Sequence, residues 1–162
     1  MVEVDEEGEM KKNSCFVAAT AVLLLCAAFT VEYVRAQEGS PLRGLRVKVH
    51  YTGSGTVDEK HKIVVFLFDS PDFGRKEVMA FAVMSTSSKD GTVTFHDVAK
   101  SPAYIGTVYD PNAGYADRQG PPPPGSSLGM YSKTPGQAAP VKVEAGKTIE
   151  VELTFDDSVK MK

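Results

Sequence analysis

Oxygen donors cluster in one segment of the chain. Asp110, Asn112 and Asp117 stand at i, i+2 and i+7, with Gly114 free to bend the backbone between them. A calcium ion takes six to eight oxygens from carboxylates, amides and backbone carbonyls. Alternate positions in a loop could bring these three onto one ion. The third acid and the bidentate glutamate of a full calcium loop are missing, and the same side chains also cap turns. Tyr109, Tyr115 and Tyr131 flank the segment and could form an aromatic platform for a sugar ring or pack beneath Pro121–Pro124. Four successive prolines favour a stiff polyproline II run. That run suits either docking into an aromatic groove or a rigid strap over apolar surface.

The remaining reactive side chains are sparse. His50, His61 and His96 are the histidines. His50 and His96 fall on outward strand positions and could share a metal only if their strands are neighbours. No G-x-S-x-G occurs, and Gly125-Ser126-Ser127-Leu128-Gly129 is a plain Gly/Ser loop. Both cysteines, Cys15 and Cys26, lie in the leader, which leaves no thiolate for catalysis, for a disulfide or for blue-copper ligation.

That leader is recognisable by its order. Met10-Lys11-Lys12 is basic, Cys15 to Val31 is almost wholly apolar, and Val34-Arg35-Ala36 ends on a small residue. This describes a secretory signal peptide over 1–36, a signal helix in form. Residues 1–9 are acidic, which suits a true start at Met10. An uncleaved membrane anchor is the other reading of the apolar run. Removing 1–36 takes away six acidic and three basic residues, so totals of 21 and 18 become fifteen of each. A neutral chain is expected to bind no nucleic acid, which needs a basic face. It is expected to be secreted or periplasmic, with no membrane span after cleavage.

The elements that position these residues read as strands. LRVKVHY places Leu45, Val47, Val49 and Tyr51 on one face and Arg46, Lys48 and His50 on the other. IVVFLF, from Ile63 to Phe68, is apolar on both faces and reads as a central strand. MAFAVMS (79–85), TVTFHDV (92–98) and AYIGTVYD (103–110) continue the pattern, and PVKVEAGKTIEVELTFDD closes it with Ile149, Val151, Leu153 and Phe155 inward. Gly53-Ser54-Gly55, Lys89-Asp90-Gly91 and Ala145-Gly146-Lys147 supply turns. About seven short strands without a 3.6-residue period predict an all-β, antiparallel β-sandwich. The expected layout is a linker over 37–43, the sandwich over 44–157 and a tail over 158–162.

Asp90-Gly91-Thr92-Val93-Thr94-Phe95-His96-Asp97-Val98, followed by Tyr104-Ile105-Gly106-Thr107-Val108-Tyr109-Asp110, resembles the prealbumin-like and carboxypeptidase regulatory-like secreted modules, an Ig-like sandwich class. The span from Leu45 to Phe155 is also similar to secreted bacterial proteins of unknown function, through Leu67-Phe68-Asp69-Ser70-Pro71, Thr94 to Val98 and Gly129-Met130-Tyr131-Ser132. The link Lys100-Ser101-Pro102-Ala103 lacks the glycine usual before the tyrosine, and the loop after Asp110 is plainer than in those proteins. The chain ends Asp156-Asp157-Ser158-Val159-Lys160-Met161-Lys162, unlike the Tyr-Arg-Gly-Ser tail of transthyretin-fold hydrolases. The resemblance brings no defined catalytic activity; no cofactor is expected, with calcium as the alternative. The expected role is a non-enzymatic binding or structural module of the cell envelope, with an envelope protein or glycan as partner. A carbohydrate-binding module using Tyr109, Tyr115 and Tyr131, or a calcium-dependent one using Asp110, Asn112 and Asp117, are the alternatives.

Overall fold

The computed structural model describes residues 42–72, 78–117 and 120–162. The expected signal peptide, and the expected linker before Leu42, lie outside these residues. Nine strands follow in order: β1 (Gly44–Tyr51), β2 (Ile63–Phe68), β3 (Ala82–Thr86), β4 (Asp90–Phe95), β5 (Tyr104–Tyr109), β6 (Ser127–Met130), β7 (Ser132–Thr134), β8 (Gln137–Ala138) and β9 (Thr148–Phe155). They build a three-stranded sheet, β4-β1-β9, a four-stranded sheet, β3-β2-β5-β6, and a β7-β8 hairpin. The fold is all-β and sandwich-like.

Alternation explains which faces meet. Leu45, Val47, Val49 and Tyr51 of β1 are buried, joined by Leu153 and Phe155 of β9 and by Val93 and Phe95 of β4. Ile63, Val65 and Leu67 of β2 and Ile105 and Tyr109 of β5 complete the same core from the other sheet. The pairing is not purely antiparallel, however. β9 runs parallel to β1, from Gly44 opposite Thr148 to Tyr51 opposite Phe155. The strand expected over 79–85 begins only at Ala82 and ends at Thr86; Met79 is 81% exposed. At the Lys100–Ala103 link, the Ser101 hydroxyl accepts the Val143 N–H at 3.0 Å and Ala103 bridges to Val141, which anchors the link without the glycine.

The two outer faces differ. On the three-stranded sheet Arg46 and Lys48 lie beside Glu150 and Glu152, with ion pairs of 3.4, 2.7 and 3.8 Å. These are exposed pairs, so they specify a wet face more than they stabilise it. On the four-stranded sheet Val64 and Val108 are buried on the outer side beneath Tyr115, with Phe66, Ala116 and Leu128 packed around them. The chain beyond Phe155 also joins this sheet. Leu128 N–H donates to Val159 O at 2.9 Å and Met161 N–H to Ser126 O at 2.9 Å, so the tail over 158–162 lines the outer edge of β6.

Two interior hydroxyls among the described residues, those of Thr107 and Ser126, are buried without a partner. An unpaired buried hydroxyl costs about 1–3 kcal/mol. Thr107→Val keeps the shape and removes the hydroxyl, so it should raise the melting temperature by several degrees in a thermal scan, for a gain of about 1 kcal/mol. An unchanged or lower melting temperature would contradict this.

Candidate functional site

The best-organised polar cluster lies where β1, β5 and β9 end and β6 begins. Tyr51 closes β1 and Phe155 closes β9 in parallel register, so the residues just beyond them, Gly53–Thr56 and Asp157, emerge side by side. Asp157 Oδ1 accepts from the Tyr51 hydroxyl at 2.6 Å and from the Ser127 hydroxyl at 2.6 Å. Its Oδ2 accepts from the Ser54 N–H at 2.9 Å and the Ser54 hydroxyl at 3.0 Å. One carboxylate therefore ties together the ends of the parallel strands β1 and β9, the following loop and the start of β6.

The aromatic residues beneath this carboxylate are layered. The Tyr51 ring lies 4.7 Å from Tyr109 and 5.0 Å from Phe155, centroid to centroid. Lys89 Nζ sits 5.3 Å from the Tyr51 ring centre and donates to Gly53 O at 2.8 Å. The Tyr109 hydroxyl donates to Thr56 O at 2.9 Å.

The electrostatics follow from these bonds. The Ser127 hydroxyl, then those of Tyr51 and the Ser54 amide, hold the Asp157 carboxyl well below the usual carboxylate range. Burial, then the bond to Asp157, pushes the Tyr51 phenol up to about 12. Burial comes first for Tyr109 as well, with the negative charges of Asp157, Asp58 and Asp110 adding to the rise. Because the folded Tyr51 phenol titrates above its unfolded value near 10, its stabilising contribution is whole below pH ~10 and is lost as pH rises towards 12. A spectrophotometric titration at alkaline pH should show several tyrosines ionising late, with a last step near pH 12 that Tyr51→Phe removes. Ionisation of all tyrosines in one step near pH ~10 would count against the burial described.

Chemically the cluster is a clamp. Ser127 is 1% exposed and its hydroxyl points into an already ionised carboxylate, so it is neither accessible nor activated as a nucleophile. All four donors converge on one side chain, which fixes the strand ends.

The residues picked out by spacing are distributed differently. Asp110 is 3% exposed, and its Oδ1 accepts the Asn112 N–H at 2.9 Å in a tight turn that leads to Ala113 and Gly114, both with positive φ. Asn112 itself is exposed. Asp117 ends a short 3₁₀ turn from Tyr115, and its side chain lies outside the described part. Among the described residues no three His, Cys, Asp or Glu side chains gather as metal ligands. Tyr109 and Tyr115 are interior, at 3% and 6% exposure, and their rings offer no open platform. Their apolar rings complete two separate clusters, the main core and a smaller one on the outer face of the four-stranded sheet. Tyr131 is half-buried against the core.

His50 and His96 do sit along neighbouring strands, but the register keeps them apart. His50 pairs with Asp90, Nδ1 to Oδ1 at 2.8 Å, while His96 follows Phe95, the partner of Leu45 at the other end. His61 bonds Asp58 at 2.8 Å.

Sequence reading passed over Asp157 and Ser127. Asp157 stands among the terminal polar residues, and its partners are 30 to 106 positions away. The one local signal is an acid placed just past an alternating strand whose parallel neighbour ends in tyrosine.

These features define a class: an all-β, sandwich-like module with a carboxylate-clamped end and a proline-bearing segment whose Tyr115 packs on the outer face of one sheet. No family model, curated protein or solved structure matches the chain.

Proposed function

We propose that the chain is a non-enzymatic binding or structural module of the cell envelope, secreted or periplasmic, built on a prealbumin-like, carboxypeptidase regulatory-like sandwich. The observation that carries this reading is the anchoring of the segment between β5 and β6 near both of its ends. Asp110 anchors its start through a buried turn. Tyr115 packs on Val64 and Val108 and donates its hydroxyl to Gly120 O at 3.0 Å. The far end is held where Gly125 N–H donates to Met161 O at 2.8 Å and Ser126 N–H to Pro123 O at 3.2 Å. Between these anchors Pro111, Asn112, Pro121 and Pro124 stay exposed. Exposed residues next to such anchors lose little entropy on contact, which suits recognition.

The test is co-sedimentation of the protein with purified peptidoglycan and with envelope vesicles from the producing cell. The expected result is binding that falls about tenfold, or ~1.4 kcal/mol, when Pro121–Pro124 are replaced by Gly and Ser, with the melting temperature changed by only a few degrees. No binding to either fraction, or binding indifferent to the loop, would sink the proposal.

A further inference from the structure

The open edge of β4 fits a second copy of the same edge. Tyr51 N–H donates to Lys89 O at 2.9 Å, so this residue pair exchanges ladder bonds. In an antiparallel ladder such pairs alternate. By the observed register Val49–Gly91, Val47–Val93 and Leu45–Phe95 are then the bonded pairs. Thr92 and Thr94 must turn their own N–H and C=O groups away from β1, towards the open side, as must Asp90, whose N–H donates to the Ser88 hydroxyl at 3.3 Å.

Sheet edges are usually guarded by charge, proline, bulges or a covering segment. The edge of β6 is covered by Val159–Met161. The edge strand β9 carries Glu150 and Glu152, which would face each other in a two-fold pairing about Val151. β4, Asp-Gly-Thr-Val-Thr-Phe, has no proline, no lysine and one charge at its first position. Its side chains are also self-complementary. Two antiparallel copies centred on Val93 place Thr92 opposite the other copy's Thr94, and both of these residues present free backbone groups. The same register sets Asp90, whose side chain is 79% exposed, opposite the other copy's His96, which is exposed one residue past β4. Threonine pairs and opposite charges are favourable cross-strand neighbours.

We propose that the protein forms a two-fold dimer by antiparallel pairing of β4 with β4, making one continuous sheet in the order β9-β1-β4-β4-β1-β9. The interaction is between copies of this chain and uses Asp90, Thr92, Thr94 and His96.

Sedimentation equilibrium of the protein purified after expression of the full chain tests this. A dimer mass is expected at about 100 µM, a concentration that populates contacts of micromolar affinity. Thr92→Pro removes an N–H that β1 does not use, so the fold should persist and the mass should halve. Asp90→His sets imidazole opposite imidazole and should raise the dissociation constant severalfold, while Asp90→His with His96→Asp should restore it. The His50–Asp90 contact is lost in both of these variants, so recovery reports on the contact between copies. A monomer at every concentration, a dimer indifferent to Thr92→Pro, an unweakened Asp90→His dimer, or failure of the double variant to recover would each overturn the proposal. So would a dimer broken by Met84→Pro in edge strand β3 but not by Thr92→Pro.

Discussion

Asp157→Ala should lower stability by about 2–4 kcal/mol, near 10 °C in melting temperature. The loss does not come from the carboxylate's charge, which is partly exposed, but from what it leaves behind. Tyr51 and Ser127 are 3% and 1% exposed, and without Asp157 their hydroxyls lose the acceptor they share. The pH dependence gives a second readout. The folded carboxyl titrates far below its unfolded value near 4, so its contribution is whole above pH ~4 and is lost as pH falls below that. Asp157→Asn should therefore flatten the acid side of a stability profile measured by denaturant unfolding at stepped pH. A wild-type acid limb retained in the variant would show that other carboxylates carry it.

Gly129→Ala should cost about 2–3 kcal/mol, because the two sheets meet at this residue without room for a methyl group. A Cβ there would lie 2.5 Å from Thr107 Oγ1 and 2.6 and 2.7 Å from Phe155 Cβ and Cγ. Thr107 is the neighbour of Gly129 across β5 and β6, and Phe155 reaches over from the opposite sheet. The effect should be coupled: Thr107→Ala in the same chain should recover about 1 kcal/mol of the loss, a departure from additivity that a double-mutant cycle measures. Additive losses would mean that Phe155 alone sets the limit.

The strands that were legible are those with one wet face. In LRVKVHY the residue type reverses at every step because one side meets the core and the other meets water, and β1 spans Gly44–Tyr51 accordingly. IVVFLF reads as a central strand because its outer face is covered too, by Tyr115 packing on Val64. The β6–β8 region did not read as strands. Ser127–Met130 is four residues of mixed type, held in the sheet by β5 on one side and the tail on the other. Likewise, nothing in TIEVELTF states that its neighbour is β1 and that the two run parallel, since pairing partners are chosen by the whole assembly. The clamp was hidden for the same reason. Tyr51 carries a core pattern and Asp157 a terminal one, and only the register that ends both strands together brings them within 2.6 Å. That Tyr115 would seat on the outer face of the four-stranded sheet was not legible in the segment between β5 and β6.

The parallel β1–β9 pair has a mechanical consequence. Chain enters β1 at Gly44 and leaves β9 at Phe155, and these residues sit at opposite ends of the same eight-residue ladder. Tension applied through the two termini, once the short tail has peeled from β6, pulls the two strands along their length in opposite directions. Every rung of that ladder then bears load together, in shear, where a hairpin pulled from its open end would lose its rungs singly. The domain is built to resist being stretched between its ends far better than being pried apart across them.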